Sequence, residues 1–397
     1  MTWHDLNLGE AVRVKHGYAF KGEFFAKQGA LMVVTPGNFV ESGGFRVRPG
    51  KERYYTADFP DDYLLSEDDL VVAMTEQGEG LLGSAARVPE SGKYLHNQRI
   101  GLVIVTNTNT LNKQFAYWLF NSRPVREQLR GSSTGTKVRH TAPERIYKVR
   151  VRIPPVEVQS RVAATLDAYD KLIETNRRRI ALLEESAKLL YQEWFVSLRF
   201  PGYETATFSD GLPKGWAKMP LGDLAFIVMG QSPESKFYNQ DGEGLPFHQG
   251  VSDFSDHFVN HKTYTTQATR IADVGDILCS VRAPVGRLNL TRDKIAIGRG
   301  VSAIRSHAGQ QSLLLYQLKA LFVEEDMIGG GTIFASVTKK ELFAQQLLQP
   351  DSKTATEFNR LTSEIGAQIE TLVKQNTLLV EARDSLLPKL MSGAIQV

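Results

Sequence analysis

Three stretches of the chain carry residue types at spacings that could do chemistry. The stretch "GSSTGTKVRHTAPERIYKVRVRIPP", 131 to 155, begins like a phosphate-binding loop. Such a loop needs G-x-x-x-x-G-K-[ST], so that backbone N–H groups wrap the phosphates and a lysine reaches the outer one. Here the second glycine comes one residue early, Thr136 stands before Lys137, and Val138 replaces the magnesium-binding hydroxyl. The second stretch, "GEGLLG" from Gly78 to Gly83, satisfies G-x-G-x-x-G after a predicted strand. The adjoining residues, "SAARVPESGKY", are too few and too broken by Pro and Gly for the helix whose N-terminus would face a pyrophosphate, so the motif reads as a glycine-rich turn. The third groups Asp61, Asp62, Glu67, Asp68 and Asp69 around a turn, as solvated surface rather than an acid/base pair. No histidine pair has metal-ligand spacing and no G-x-S-x-G elbow occurs, so neither catalytic nor metal-ligating residues are assigned.

The elements that must position these stretches repeat. Trp3, Leu8, Gly9, Glu10 and Gly17 match Trp216, Leu221, Gly222, Asp223 and Gly230. "DLVVAMT" from Asp69 matches "DILCSVR" from Asp276, and Arg99 is paired with Arg299. Thr136 matches Thr332, Ile146 matches Leu342, and Pro154 matches Pro350. Two copies of one unit is the simplest account. Within each copy, short β-branched runs such as "LVVAM", "GLVIV", "DILCSV" and "VSAIR" predict strands between glycine-punctuated turns.

Each copy then ends in a long helical pattern. Val162, Leu166, Tyr169, Ile173, Asn176, Ile180, Leu183, Ala187 and Leu190 recur every three or four residues, as do Phe358, Ile365, Ile369, Leu372, Asn376, Leu379 and Leu386. Thr362 and Arg383 interrupt the second seam. Pro154 and Pro155 suit the first turn of the first helix, and Pro201-Gly202 ends it. A helix of roughly 40 residues extends ~60 Å, too long to hide in a small globule, so the expected packing is one long helix antiparallel to the other. Asn176 and Asn376 are candidates for mutual register setting. The predicted fold class is mixed α/β (α+β): two similar globular segments separated by a long antiparallel two-helix coiled coil in a pseudo-twofold internal repeat. The boundaries are 1–150 and 201–348 for the globular segments, and 151–200 and 349–397 for the helices.

With 397 residues, 42% hydrophobic and 23% charged, the chain can bury cores in two domains, and disorder is excluded. Cys279 is the single cysteine, which rules out an intramolecular disulfide and reads as a small buried hydrophobe. No signal-like or membrane-length apolar run occurs, so a soluble cytoplasmic protein is expected. A formal charge of +3 permits a polyanionic partner without demanding one. Two related but divergent modules suit a linear ligand with two unlike recognition points, and duplex DNA is such a ligand. Reading it takes Lys or Arg on phosphates and Arg, Asn, Gln or Lys on base edges. The candidates in turns are Gln77, Asn97, Gln98, Arg99, Lys137, Arg139 and His140 in the first half, and Gln249, Arg282, Arg287, Arg299, Lys339 and Lys340 in the second. Lys148, Arg150 and Arg152 alternate with Tyr147, Val149, Val151 and Ile153 as a half-buried strand would; their charge is not kept in the second copy, so the shared task of that segment is structural.

The chain also resembles the specificity subunits of type I restriction-modification systems. "LPKGWAKMPLGDLA" (212 to 225) is similar to the opening of a target-recognition domain; "IPPVEVQSRV" (153 to 162) and "LLYQEWFVSLRFPG" (189 to 202) are similar to the boundaries of the central conserved helix; "LLPKLMSGAI" (386 to 395) is similar to the end of the C-terminal one. "LLQPDSKTATEFN" departs from this pattern, lacking the Pro-Pro and Gln of "IPPVEVQ". The resemblance implies that each globular segment reads half of a bipartite DNA site and that the paired helices act as a ruler. It implies two modification (methyltransferase) subunits that bind S-adenosylmethionine, and restriction subunits that use ATP and Mg, with no cofactor on this chain. The alternatives are an orphan DNA-binding or adaptor protein without a methyltransferase partner, and an enzyme whose glycine turns hold a nucleotide.

Overall fold

The computed structural model describes residues 3–77, 80–327 and 336–397, with 323–327 as backbone only. Gly78 of the glycine motif and Thr332 of the repeat lie outside the described residues. The chain divides into two compact units, Met1–Asn176 with Gln375–Val397, and Arg177–Lys374. The division falls inside both long helices, so each unit holds one globular segment together with a stretch of both.

In the first unit an antiparallel sheet runs in the order Val12–His16, Ile100–Val105, Leu70–Ala73, Ala85–Arg87. Its strand Leu70–Ala73 is apolar throughout because both faces are covered. Leu70 and Val72 join the cluster containing Phe115, Trp118 and Leu129, whereas Val71 and Ala73 join the one containing Met32, Phe39 and Tyr94. A second sheet pairs Met32–Val33 in parallel with Tyr94–Leu95. Thr75–Gln77 and Val138–His140 form a separate antiparallel pair.

The second unit repeats this plan. Its sheet runs Ala225–Met229, Val301–Ser306, Ile277–Ser280, Leu288–Leu290, and Leu245–His248 pairs in parallel with Ile295–Ile297. Cys279 is buried in the third of those elements. Asp69 and Asp276, matched in sequence, make the same turn: Asp69 accepts from Ser66 N at 2.9 Å and Asp276 from Asp273 N at 2.8 Å. One sequence pairing is corrected. Met74 N donates to Arg99 O, and its counterpart Val281 N donates to Gly300 O. The partner of Arg299 is therefore Gln98, since Arg99 itself corresponds to Gly300.

The long helices span Val156–Tyr191, continued by a wider turn at Gln192–Val196, and Ser352–Met391. The prolines lie just before the first helix, where Pro155 O accepts from Val158 N and Gln159 N. The run ends at Val196, before Pro201-Gly202. Asp351 starts the second helix in place of the missing Pro-Pro, accepting from Thr354 N at 3.0 Å and from Trp216 Nε1 at 2.9 Å. Tyr147 belongs to a short helix, Pro143–Tyr147, and only Arg150–Ile153 is a strand, which narrows the expected basic strand.

Within each unit the helices pack antiparallel. In the first, Val162 and Leu166 share a core with Leu386 and Leu390, Asp170 meets Arg383 at 2.5 Å, and Asn176 Nδ2 donates to Asn376 Oδ1 at 3.1 Å. In the second, Ile180 packs with Ile365, Ile369, Leu372 and Leu183, and Ala187 with Leu190, Ala355 and Phe358. Ile173 is buried and Leu379 half-buried on the same seams. The two interruptions are each satisfied, Arg383 by Asp170 and Thr362 by its bond to Phe358 O at 2.8 Å.

The buried polar groups generate two expected outcomes. Replacing Asn176 alone by Leu leaves Asn376 without its partner and costs about 1 kcal/mol. Replacing both by Leu recovers the melting temperature but loosens helix alignment, giving mixed species in sedimentation; one unchanged species would rule out register setting. His96 is fully buried, with Nε2 2.8 Å from Ile100 O. Burial drives its imidazole down to about 4 from the ordinary ~6.5. Because the folded-state value is depressed, its contribution to stability is complete above pH ~6.5 and is lost as pH falls through about 4. Urea unfolding between pH 7 and 4.5 should show this loss, and His96→Gln should make it shallower; an identical slope in the variant excludes His96 as a source.

Candidate nucleic-acid interface

The glycine motif is occupied by the protein itself. Glu76 is buried, and its Oε2 accepts from Gly80 N at 3.1 Å, Leu81 N at 3.0 Å and Leu82 N at 2.8 Å. Successive backbone N–H groups of this kind make an anion-binding concavity, and here the anion is a side-chain carboxylate. Arg126 closes the loop from the other side, donating to Leu82 O at 2.9 Å, Glu41 O at 3.0 Å and Gly80 O. Among the described residues the N–H groups of this turn are thereby taken up by the Glu76 carboxylate. "GSSTGTKV" is likewise no phosphate loop: Thr134 and His140 exchange both backbone hydrogen bonds, at 3.0 and 2.8 Å, closing a hairpin. Gly135 turns it with φ +97°, where a Cβ would collide with Val138 O.

This hairpin gathers most of the first-half candidates. Gln77 lies opposite Val138, Glu76 opposite Arg139 and Thr75 opposite His140. Thr75 Oγ1 and His140 Nδ1 are 3.2 Å apart, and Arg145 Nη1 donates to Thr134 Oγ1 at 3.0 Å. The Asn97–Arg99 turn joins it through one residue: Met74 N donates to Arg99 O, and Met74 O accepts from Thr141 N. Asn97 Oδ1 in turn accepts from Arg99 N at 3.1 Å. Gln77, Gln98, Arg99, Lys137 and His140 are exposed, while Asn97 and Arg139 are half-buried.

In the second unit Val281 has the role of Met74, donating to Gly300 O and accepting from Val337 N. The next residue, Arg282, bridges Ser336. A cavity of about 190 Å³ opens here, lined by Gln249, Gly250, Val251, Ser280, Arg282, Ala283 and Gly300. Arg299 borders it through Ser232, whose Oγ accepts from Arg299 N and sits 2.8 Å from Gln249 Oε1. Arg287 belongs to the turn returning to Ser280, whose Oγ accepts from Arg287 N at 2.8 Å. Lys339 and Lys340 stand apart on the first turn of the helix Lys339–Ala344, with the Lys339 ammonium 5.0 Å from the Phe343 ring centre. Ser232 and Glu76 were not singled out in the sequence; a short hydroxyl and a strand glutamate carry no spacing signal.

The cations of these turns differ from a cation of the sheet in their partners. Arg305, on the sheet, is held by Asp276 at 2.6 Å and Asp273 at 2.7 Å. By contrast Arg99, Lys137, Arg139, Arg282, Arg287 and Arg299 form no ion pair among the described residues. Unpaired cations in turns beside amide side chains suit a polyanion with readable edges. Among the described residues no group of His, Cys, Asp and Glu could hold a metal, and no helix is long and apolar enough to cross a membrane.

Comparison with known proteins agrees with this frame. Residues 1–185 match the type I restriction modification DNA specificity domain. The chain is similar to the MjaX type I restriction enzyme specificity subunit of Methanocaldococcus jannaschii, with 31% identity over 63% of this chain and 60% of that protein. It thus spans less than two thirds of that relative. The MjaIX specificity subunit of the same organism is 24% identical over 72% of this chain and 69% of its own length. In fold it is similar to the crystal structure of a type I restriction-modification S subunit from M. genitalium, with TM-score 0.61 and 14% identity, covering 98% of this chain and 96% of the other. Residues 1–185, just under half of the chain, thus carry the match to the DNA specificity domain, and the chain is similar to type I restriction enzyme specificity subunits.

Proposed function

We propose that this chain is the non-catalytic DNA specificity subunit of a type I restriction-modification complex. Each globular segment reads one half of a bipartite site, and the paired helices set the spacer. The carrying observation is that the same backbone frame in both units brings amide and unpaired cationic side chains together in turns, with different side chains in each. The names of the relatives support the same reading. Methyl transfer from S-adenosylmethionine and ATP- and Mg-dependent restriction belong, on this proposal, to modification and restriction subunits that join the chain.

On this proposal the first long helix supplies the surface for such a partner. Leu182, Leu189 and Val196 recur every seven residues and are 69%, 50% and 62% exposed. They lie on the side away from Ile180 and Ala187, which pack on the second helix. Docking a modification subunit over this stripe would remove the apolar surface from water.

DNA of random sequence exposed to the complete complex should acquire adenine methylation at a motif of two separated halves. Changing Lys137, Arg139 and His140 together to Ala should weaken binding by the complex and make its salt dependence shallower. Wild-type affinity and slope would remove those residues from the interface. Inserting one heptad into each long helix should lengthen the tolerated spacer by ~10 Å, about three base pairs; an unaltered spacer rejects the ruler. Leu182→Ser with Leu189→Ser should abolish co-purification with a methyltransferase while leaving the melting temperature within about 1 °C, since both side chains are exposed. Retained co-purification would exclude this stripe, and a wild-type chain that never captures a methyltransferase would favour the orphan DNA-binding protein.

A further inference from the structure

The second unit's cavity has a chemical polarity that goes beyond general DNA affinity. Gln249 and Arg282 line it, and their side chains make no hydrogen bond among the described residues except one, from Ser232 Oγ to Gln249 Oε1 at 2.8 Å. Ser232 Oγ also accepts from Arg299 N at 3.3 Å. The Ser232 hydroxyl thus accepts from Arg299 N–H and donates to the amide carbonyl of Gln249. The Oε1 end of the amide lies beside the Gly298 backbone, where a Cβ would come within 2.7 Å of it. Gln249 Nε2 is left as a double donor.

The remaining polar side chain of the lining and two of its carbonyls are engaged. Ser280 Oγ donates to Pro284 O at 2.6 Å and accepts from Arg287 N, while Gln249 O and Gly300 O accept from Gly300 N and Val281 N. Among the described residues no carboxylate lines the cavity. The two free side-chain groups, the Gln249 NH₂ and the Arg282 guanidinium, are therefore both donors. A glutamine that reads adenine uses both ends of its amide, accepting from N6 and donating to N7. With Oε1 held by Ser232, turning that end outward for such a pairing would break the bond.

We infer that this cavity receives a base edge that presents acceptors in the major groove, guanine O6 and N7 or thymine O4, with Ser232 as the positioning residue that fixes the Gln249 amide. Adenine N6 and cytosine N4 are rejected, because an amino group there would face a donor and leave both without a partner. The inference rests on the DNA reading proposed above. It assigns one position of one half-site to Gln249 and Arg282.

The test uses the complete complex and DNA randomised across both half-sites. Wild type should select guanine or thymine at one position of the second unit's half-site. Gln249→Glu keeps the bond from Ser232 and exchanges only the outward NH₂ for an acceptor oxygen. It should move the preference at that position toward an amino-bearing base by roughly tenfold or more, with the other half-site unchanged. Ser232→Ala should broaden the choice at the same position by freeing the amide to turn, and Ser232→Thr should restore it. Gln249→Glu that keeps every base preference, or weakens all sequences alike, overturns the inference, as does a wild-type choice of adenine or cytosine at the position Gln249 controls. A wild-type complex that selects no sequence at all overturns the DNA reading instead.

Discussion

Both recognition frames hang on one backbone crossing. Met74 and Val281 each come directly after the buried central strand of their sheet, and each engages both main-chain groups, N–H with the turn before the last strand and C=O with Thr141 N in the first unit and Val337 N in the second. The strand is pinned on both faces by separate cores in the first unit. Two loops far apart in sequence are thereby held by a single residue that cannot move without disturbing the sheet. Side chains in such loops can vary freely, because the loop positions are set by backbone hydrogen bonds and not by the side chains themselves.

A similar division holds in the helices. Leucine and isoleucine supply most of the burial, but hydrophobic contacts tolerate sliding by a heptad. The Asn176 and Asn376 pair, and the Arg383 and Asp170 pair, do not, since a shifted alignment leaves a donor or a charge unpaired. The two residues that break the apolar pattern of the second helix are thus consistent with antiparallel packing, Thr362 by bonding its own backbone and Arg383 by bonding its neighbour.

The repeat was legible because its glycines answer a steric demand that recurs. A Cβ on Gly9 would strike Tyr147, and one on Gly222 would strike Phe343; at Gly17 and Gly230 it would strike the carbonyls of Asn97 and Gly298. Such close approaches permit only one residue type, so they survive divergence and can be aligned by eye. The helical seams were legible for the equivalent reason of period. The one-residue slip between Arg99 and Arg299 was not, because it is defined by which carbonyl accepts from Met74 or Val281, and hydrogen-bond register leaves no mark on composition. Glu76 was hidden for another reason: a glycine loop that wraps a ligand and one that wraps its own carboxylate share the same glycines. Only the fold reveals which anion fills it.

The shared frame carries unlike chemistry. Thr75 in the first unit occupies the place of Arg282 in the second, each directly after the crossing residue, and Gln98 occupies the place of Arg299. At the first pair a hydroxyl bonded to His140 is exchanged for a free guanidinium, and at the second an amide is exchanged for a cation. Neither exchange touches the backbone bonds that hold the loop. A protein proposed to read two different half-sites needs this separation, since duplication supplies a second copy already folded and only exposed side chains must then diverge.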